Sequence, residues 1–217
     1  MNLDLSACTR STATAGGGLL SNGTFAPAPG SNSTGEPRIV NLILPTLATN
    51  IQGGSTGSPS FRFFTSLRTI SGSNVTEVRS NTFNNLSNLT TVSIPGLTWG
   101  IRHLAFESTG VKTIYLGTIP TDLGSLGQTP RIFSRVAQTE HTVTFYVEDI
   151  TAYRTHIVSF GGGATWVQMM GRRSDFSSDT IPTQEQWSNV WDNFASTRDN
   201  LTVRMVCLAS GAVYPAQ

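Results

Sequence analysis

The side chains that could carry out chemistry are few and scattered. His103, His141 and His156 stand alone, with no His-x-x-x-His or Cys-His pairing to set two metal ligands on one face. A serine nucleophile would announce itself by a Gly-x-Ser-x-Gly elbow, and the chain has none. Gly161-Gly162-Gly163 is not followed by the Gly-Lys-Ser/Thr that a phosphate loop requires, so it reads as a turn. Glu140 and the adjacent pair Glu148-Asp149 read as solvated loop carboxylates. Cys8 and Cys207 lie near opposite ends and form neither a metal signature nor a disulfide framework. The expectation is a protein that is not an enzyme and uses no metal or cofactor.

Composition narrows the class further. The chain has 217 residues and a net charge of +1, with 14 Lys+Arg against 13 Asp+Glu, and no basic cluster beyond Arg172-Arg173. That excludes the electrostatic footprint of a nucleic-acid binder. No apolar run approaches the ~18 residues of a membrane-spanning helix, so no span is expected, and the polar sequence after Met1 is not a secretory leader. Serine and threonine make up about a quarter of the chain and Lys112 is its only lysine. Such sequences form strands and turns more readily than helices. Leu5-Ser6-Ala7-Cys8 has the form of a lipoprotein cleavage box, but nothing long and hydrophobic precedes it and Asp4 interrupts what is there. A short strand from Leu3 to Ser6 is the better reading. Asn-x-Ser/Thr sequons occur at Asn22, Asn32, Asn74, Asn85, Asn88 and Asn200, a number that so much Asn, Ser and Thr produces by chance.

The elements that organise the chain repeat. Leu67-Arg-Thr-Ile70, Leu89-Thr-Thr-Val92-Ser-Ile94 and Val111-Lys-Thr-Ile114-Tyr-Leu116 share one aliphatic frame and begin 22 residues apart. The frame also fits Ile39-Val-Asn-Leu42-Ile-Leu44, 28 residues upstream, and Thr142-Val-Thr-Phe145-Tyr-Val147, 31 residues downstream. Phe83, Phe106 and Phe133 each follow a frame at a similar interval. One such unit is a strand, a turn and a return segment closed by a buried phenylalanine. It cannot hide its own apolar face, so units must stack.

Asn74-Val75-Thr76-Glu77-Val78 followed by Thr82-Phe83-Asn84-Asn85-Leu86-Ser87-Asn88-Leu89 resembles the leucine-rich repeat of the treponemal, or BspA-like, class over residues 38 to 160. The resemblance implies a leucine-rich-repeat solenoid: a short curved, mostly parallel sheet of about six strands, irregular outer connections, and a C-terminal helix-strand cap. Residues 1–37 then form an N-terminal strand and long polar loop. Residues 38–160 form the array, with insertions at about 45–66 and 117–141. Residues 161–217 form the cap. In the cap, the capping box Thr183-Gln-Glu-Gln186 and the spacing of Trp187, Val190, Trp191 and Phe194 predict a helix over about 184–196. Alternation over Leu201 to Leu208 predicts a strand.

Alternation also predicts which side chains face out. If Leu42, Ile70, Val92, Ile114 and Phe145 point inward, one outward column is Asn41, Thr69, Thr91, Thr113, Thr144, and the next is Ile43, Ser71, Ser93, Tyr115, Tyr146. Thr and Tyr are good strand residues in any case. Stacked tyrosines on a hydroxyl-rich ladder are also what a binding face needs, and solenoids bind through such ladders. What the resemblance implies is an exported bacterial protein, at the cell surface or in the periplasm, adhering to a protein or matrix component of a host or neighbouring cell. A second expectation places a hydrophobic small molecule in an apolar pocket, where the 117–141 insertion interrupts the sheet, lined by Trp99, Leu123, Leu126, Ile132 and Phe133 and rimmed by Tyr115. A third is a structural assembly part that pairs through exposed edge strands.

Overall fold

The structure is a computed structural model that describes residues 1–9, 18–19, 23–26, 36–54, 60–102, 104–117, 122–123, 141–148, 159–160, 164–165, 201–211 and 213–214. These residues form a β-dominated protein with parallel sheets and almost no helix. One turn of 3-10 helix, Glu36–Arg38, is the exception among them.

The long sheet has eight strands in the order β1 (Asn2–Asp4), β4 (Asn41–Ile43), β6 (Thr69–Ser71), β8 (Thr91–Ile94), β10 (Thr113–Leu116), β12 (His141–Val147), β15 (Leu201–Cys207) and β16 (Val213–Tyr214). All neighbours run parallel except β15 and β16. A short sheet has the order β11 (Asp122–Leu123), β9 (Gly100–Ile101), β7 (Glu77–Val78), β5 (Asn50–Ile51), β3 (Thr24–Ala26) and β2 (Gly18–Leu19), antiparallel only between β2 and β3. β13 (Ser159–Phe160) and β14 (Ala164–Thr165) pair antiparallel. From β3 to β12 the chain visits the two sheets in turn, so each of the first four aliphatic frames contributes one strand to the long sheet and the residues after it one short strand to the other.

Register follows the aliphatic frame. Leu3, Leu42, Ile70, Val92, Ile114 and Phe145 are partners across successive strands, and the last five are buried. Successive units also bond between the sheets: Phe83 N donates to Ala105 O at 2.9 Å and Asn85 N to Glu107 O at 2.9 Å. The approach is close enough to demand glycine. A Cβ on Gly96 would stand 2.5 Å from Ser73 O, and one on Gly110 closer still to Ser87 O.

A column of phenylalanines fills the space between the sheets. Phe61 lies 5.1 Å from Phe83 and Phe83 5.3 Å from Phe106, centroid to centroid, all three fully buried, and Phe25 extends the column at 6.2 Å from Phe61. Beside it, backbone in the left-handed region recurs: Asn81 and Leu104 both have φ near 55°, and Asn85 (φ 67°) is matched by Ser108 (φ 55°). Each pair is 23 residues apart, so the same turn is made twice with different side chains.

Several expectations change. The outer connections are not irregular, because five of them pair in register as the short sheet. The long sheet has eight strands in place of about six, and the strand expected in the C-terminal cap is β15, paired parallel with β12 over seven residues. Nor is the long sheet interrupted at the 117–141 insertion. β10 and β12 pair directly from Thr113↔Thr144 to Leu116↔Val147, since their matching frames offer four consecutive partners whatever the length between them. The helix expected over 184–196 lies outside the described residues.

Candidate binding face

The outward columns of the long sheet are assembled by the same register that buries the inward ones. Asn2, Asn41, Thr69, Thr91, Thr113, Thr144 and Arg204 are consecutive partners in one column; Asp4, Ile43, Ser71, Ser93, Tyr115, Tyr146 and Val206 are consecutive partners in the other. The burial pattern of β10 states the alternation: Thr113 half-buried, Ile114 buried, Tyr115 exposed, Leu116 buried. With strands ~4.8 Å apart, β1 to β15 spans six steps, roughly 29 Å.

Hydrogen bonds tie the first column together at one end. Thr69 Oγ1 donates to Asn41 Oδ1 at 2.6 Å, and Asn41 Nδ2 donates to Asn2 Oδ1 at 2.6 Å. Further along, on β10 and β12, Tyr115 and Tyr146 stack, with ring centroids 4.9 Å apart and planes 21° from parallel. Ile43 and Tyr115 are 40% and 38% exposed, so the second column presents apolar surface at two separated points. Between Asp4 at one end and Arg204 at the other, the two columns carry no charge. The Asp4 carboxylate accepts a 2.8 Å hydrogen bond from Ser6 N, which holds it below the usual carboxylate range. Chemically, the face offers hydroxyl and amide groups at regular spacing and two flanking apolar contacts.

Of the residues expected to line or rim the pocket, only Trp99, Leu123 and Tyr115 are among the described residues. Trp99 is 61% exposed and sits just before β9 of the short sheet, with the Arg102 guanidinium 6.0 Å from its ring centroid, whereas Tyr115 belongs to the long sheet. Leu123 is on β11, also in the short sheet, and Leu126, Ile132 and Phe133 lie outside the described residues. Cys8 is exposed beside β1, while Cys207 is buried on β15.

Two polar clusters escaped the sequence reading. Glu77 accepts from Arg102 Nε at 2.7 Å and pairs with Arg79 Nε at 3.4 Å on the short sheet. Asn84 Nδ2 donates to the Glu107 carboxylate, and both residues are buried. These contacts link residues 25 and 23 apart, so the repeat length was the signal that could have found them. Among the described residues no group of three His, Cys, Asp or Glu is placed to hold a metal ion.

No protein-family model, curated protein or solved structure matches the chain.

Proposed function

We propose that the chain is a leucine-rich-repeat solenoid of the treponemal, or BspA-like, class that acts without catalysis. It binds a protein or matrix component of a host or neighbouring cell through the exposed face of its long sheet. As an adhesion module of this kind it works outside the bacterial cytoplasm, at the cell surface or in the periplasm. The observation that carries the reading is the face itself: uncharged, hydroxyl-rich columns in unbroken register from β4 to β12, with Tyr115 and Tyr146 stacked on the last two of those strands. Tyrosines give large, rigid contact area at low entropic cost, and hot spots at interfaces are enriched in them. The alternation of the chain between two parallel sheets supports the solenoid, because stacked units bury what one unit alone must expose.

The test is a binding screen of the purified chain against host matrix proteins and lipid vesicles, repeated with the double variant Tyr115→Ser/Tyr146→Ser. Binding to a matrix protein that the double variant loses, at a nearly unchanged melting temperature, supports the reading. Equal binding by the double variant removes this face from consideration, and binding to vesicles alone points to a hydrophobic small molecule as the ligand.

A further inference from the structure

The chemistry of the partner can be taken one step further, on the assumption that this face is the binding surface. The Tyr115–Tyr146 centroid distance of 4.9 Å matches the ~4.8 Å strand spacing, so the two rings stack on one another along the ladder. Tyr146 covers one face of Tyr115. The other looks along the column over Ser93 and then Ser71, whose side chains are too short to cover it. The next bulky residue is Ile43, 40% exposed and three strand steps, ~14 Å, from Tyr115. The result is a slot with an aromatic wall, a floor of two serines, an aliphatic far end, and the half-buried Thr91 along its side.

We propose that this slot takes a proline-rich segment in the polyproline II conformation, laid along the ladder axis. Such a helix repeats every three residues at ~3.1 Å each, or ~9.3 Å, close to two strand steps of ~9.6 Å. A proline ring stacked on the free face of Tyr115 lies over Ser93, and the ring three residues further along falls on Ile43. The two residues between cross Ser71, where their unpaired carbonyls meet serine and threonine hydroxyls; proline-rich ligands leave their backbone groups open in this way and dock on aromatic-lined grooves. One strand step past Ile43 the same column ends at the exposed carboxylate of Asp4. The complementary ligand therefore carries a basic residue one or two positions beyond its second proline.

The probes are fluorescently labelled Pro-Ala-Gln-Pro-Ala-Lys and its reversed sequence, against a peptide of the same composition with its prolines adjacent, read by anisotropy. The expected result is that one spaced peptide binds at least about tenfold tighter than the adjacent-proline control, that Tyr115→Ala loses most of this preference, and that Asp4→Asn weakens binding a few-fold. Trp99→Ala, on the short sheet, is expected to bind unchanged. Equal binding of spaced and control peptides, or Tyr115-dependent binding of cellohexaose but of no peptide, overturns the inference. Matrix-protein binding that the double tyrosine variant loses, with no peptide binding, overturns this inference alone; matrix-protein binding that the double variant keeps overturns the functional reading beneath it.

Discussion

Replacing Phe83 by alanine tests whether the phenylalanine column is a continuous core joining successive units. Phe83 has no exposed surface and touches Phe61 at 5.1 Å and Phe106 at 5.3 Å. Truncating a buried phenylalanine costs about 3–5 kcal/mol, because the cavity left behind closes only partly. The two aromatic contacts, each worth about 0.5–1.5 kcal/mol beyond area burial, put this site in the upper part of that range. A loss of about 4 kcal/mol corresponds to a fall of roughly 8–16 °C in melting temperature for a chain of this size. It is a large fraction of the 5–15 kcal/mol that typical domains possess. Thermal and urea unfolding followed by circular dichroism reads both quantities. Phe63→Ala is the matched control, since Phe63 is only half-buried beneath Arg62. A loss under about 1 kcal/mol at Phe83, or an equal loss at Phe63, would refute a shared column.

Leu104 occupies the left-handed turn position that Asn81 fills one unit earlier, so Leu104→Asn should relieve backbone strain and raise the urea midpoint, by about 0.5–1 kcal/mol; a lowered midpoint would count against the equivalence. Gly96→Ala drives a methyl group into Ser73 O and neighbouring backbone and should cost about 1–3 kcal/mol. Gly211→Ala meets nothing within 4 Å and should cost only the left-handed penalty of about 1–2 kcal/mol. A loss at Gly96 well under about 1 kcal/mol would contradict the close approach of successive units. Cys8 and Cys207 stand near opposite ends of the seven strands from β1 to β15, so no disulfide can join them within one chain. A thiol reagent should modify Cys8 at once and Cys207 only on unfolding, and equal rates would contradict the burial of Cys207.

The long sheet was legible because its register tracks the aliphatic frame. Once Leu42, Ile70, Val92, Ile114 and Phe145 are aligned, alternation places Thr69, Thr91, Thr113, Thr144, Tyr115 and Tyr146 on the opposite side, where the structure has them. The short sheet was not legible. Its strands from β5 to β11 are two residues each and offer one apolar side chain apiece, as at Ile51, Val78 and Ile101, and two residues carry no periodicity. Phe61 stands 22 residues before Phe83 but was missed because it lies 22 residues beyond the start of its frame at Ile39, against 16 for Phe83 after Leu67, and Phe25 was missed because it precedes the first frame. The tyrosine stack was visible as two residues in one column, but its orientation along the ladder axis needed coordinates.

Whether the hydroxylated, tyrosine-bearing flank of the long sheet is where a partner lands can be measured by hydroxyl-radical footprinting, with and without a matrix protein that the screen identifies. Oxidation of Tyr115 and Tyr146 should fall several-fold on adding the partner, while exposed Trp99 on the short sheet continues to react at its original rate. Protection of Trp99 with both tyrosines still reactive would contradict it.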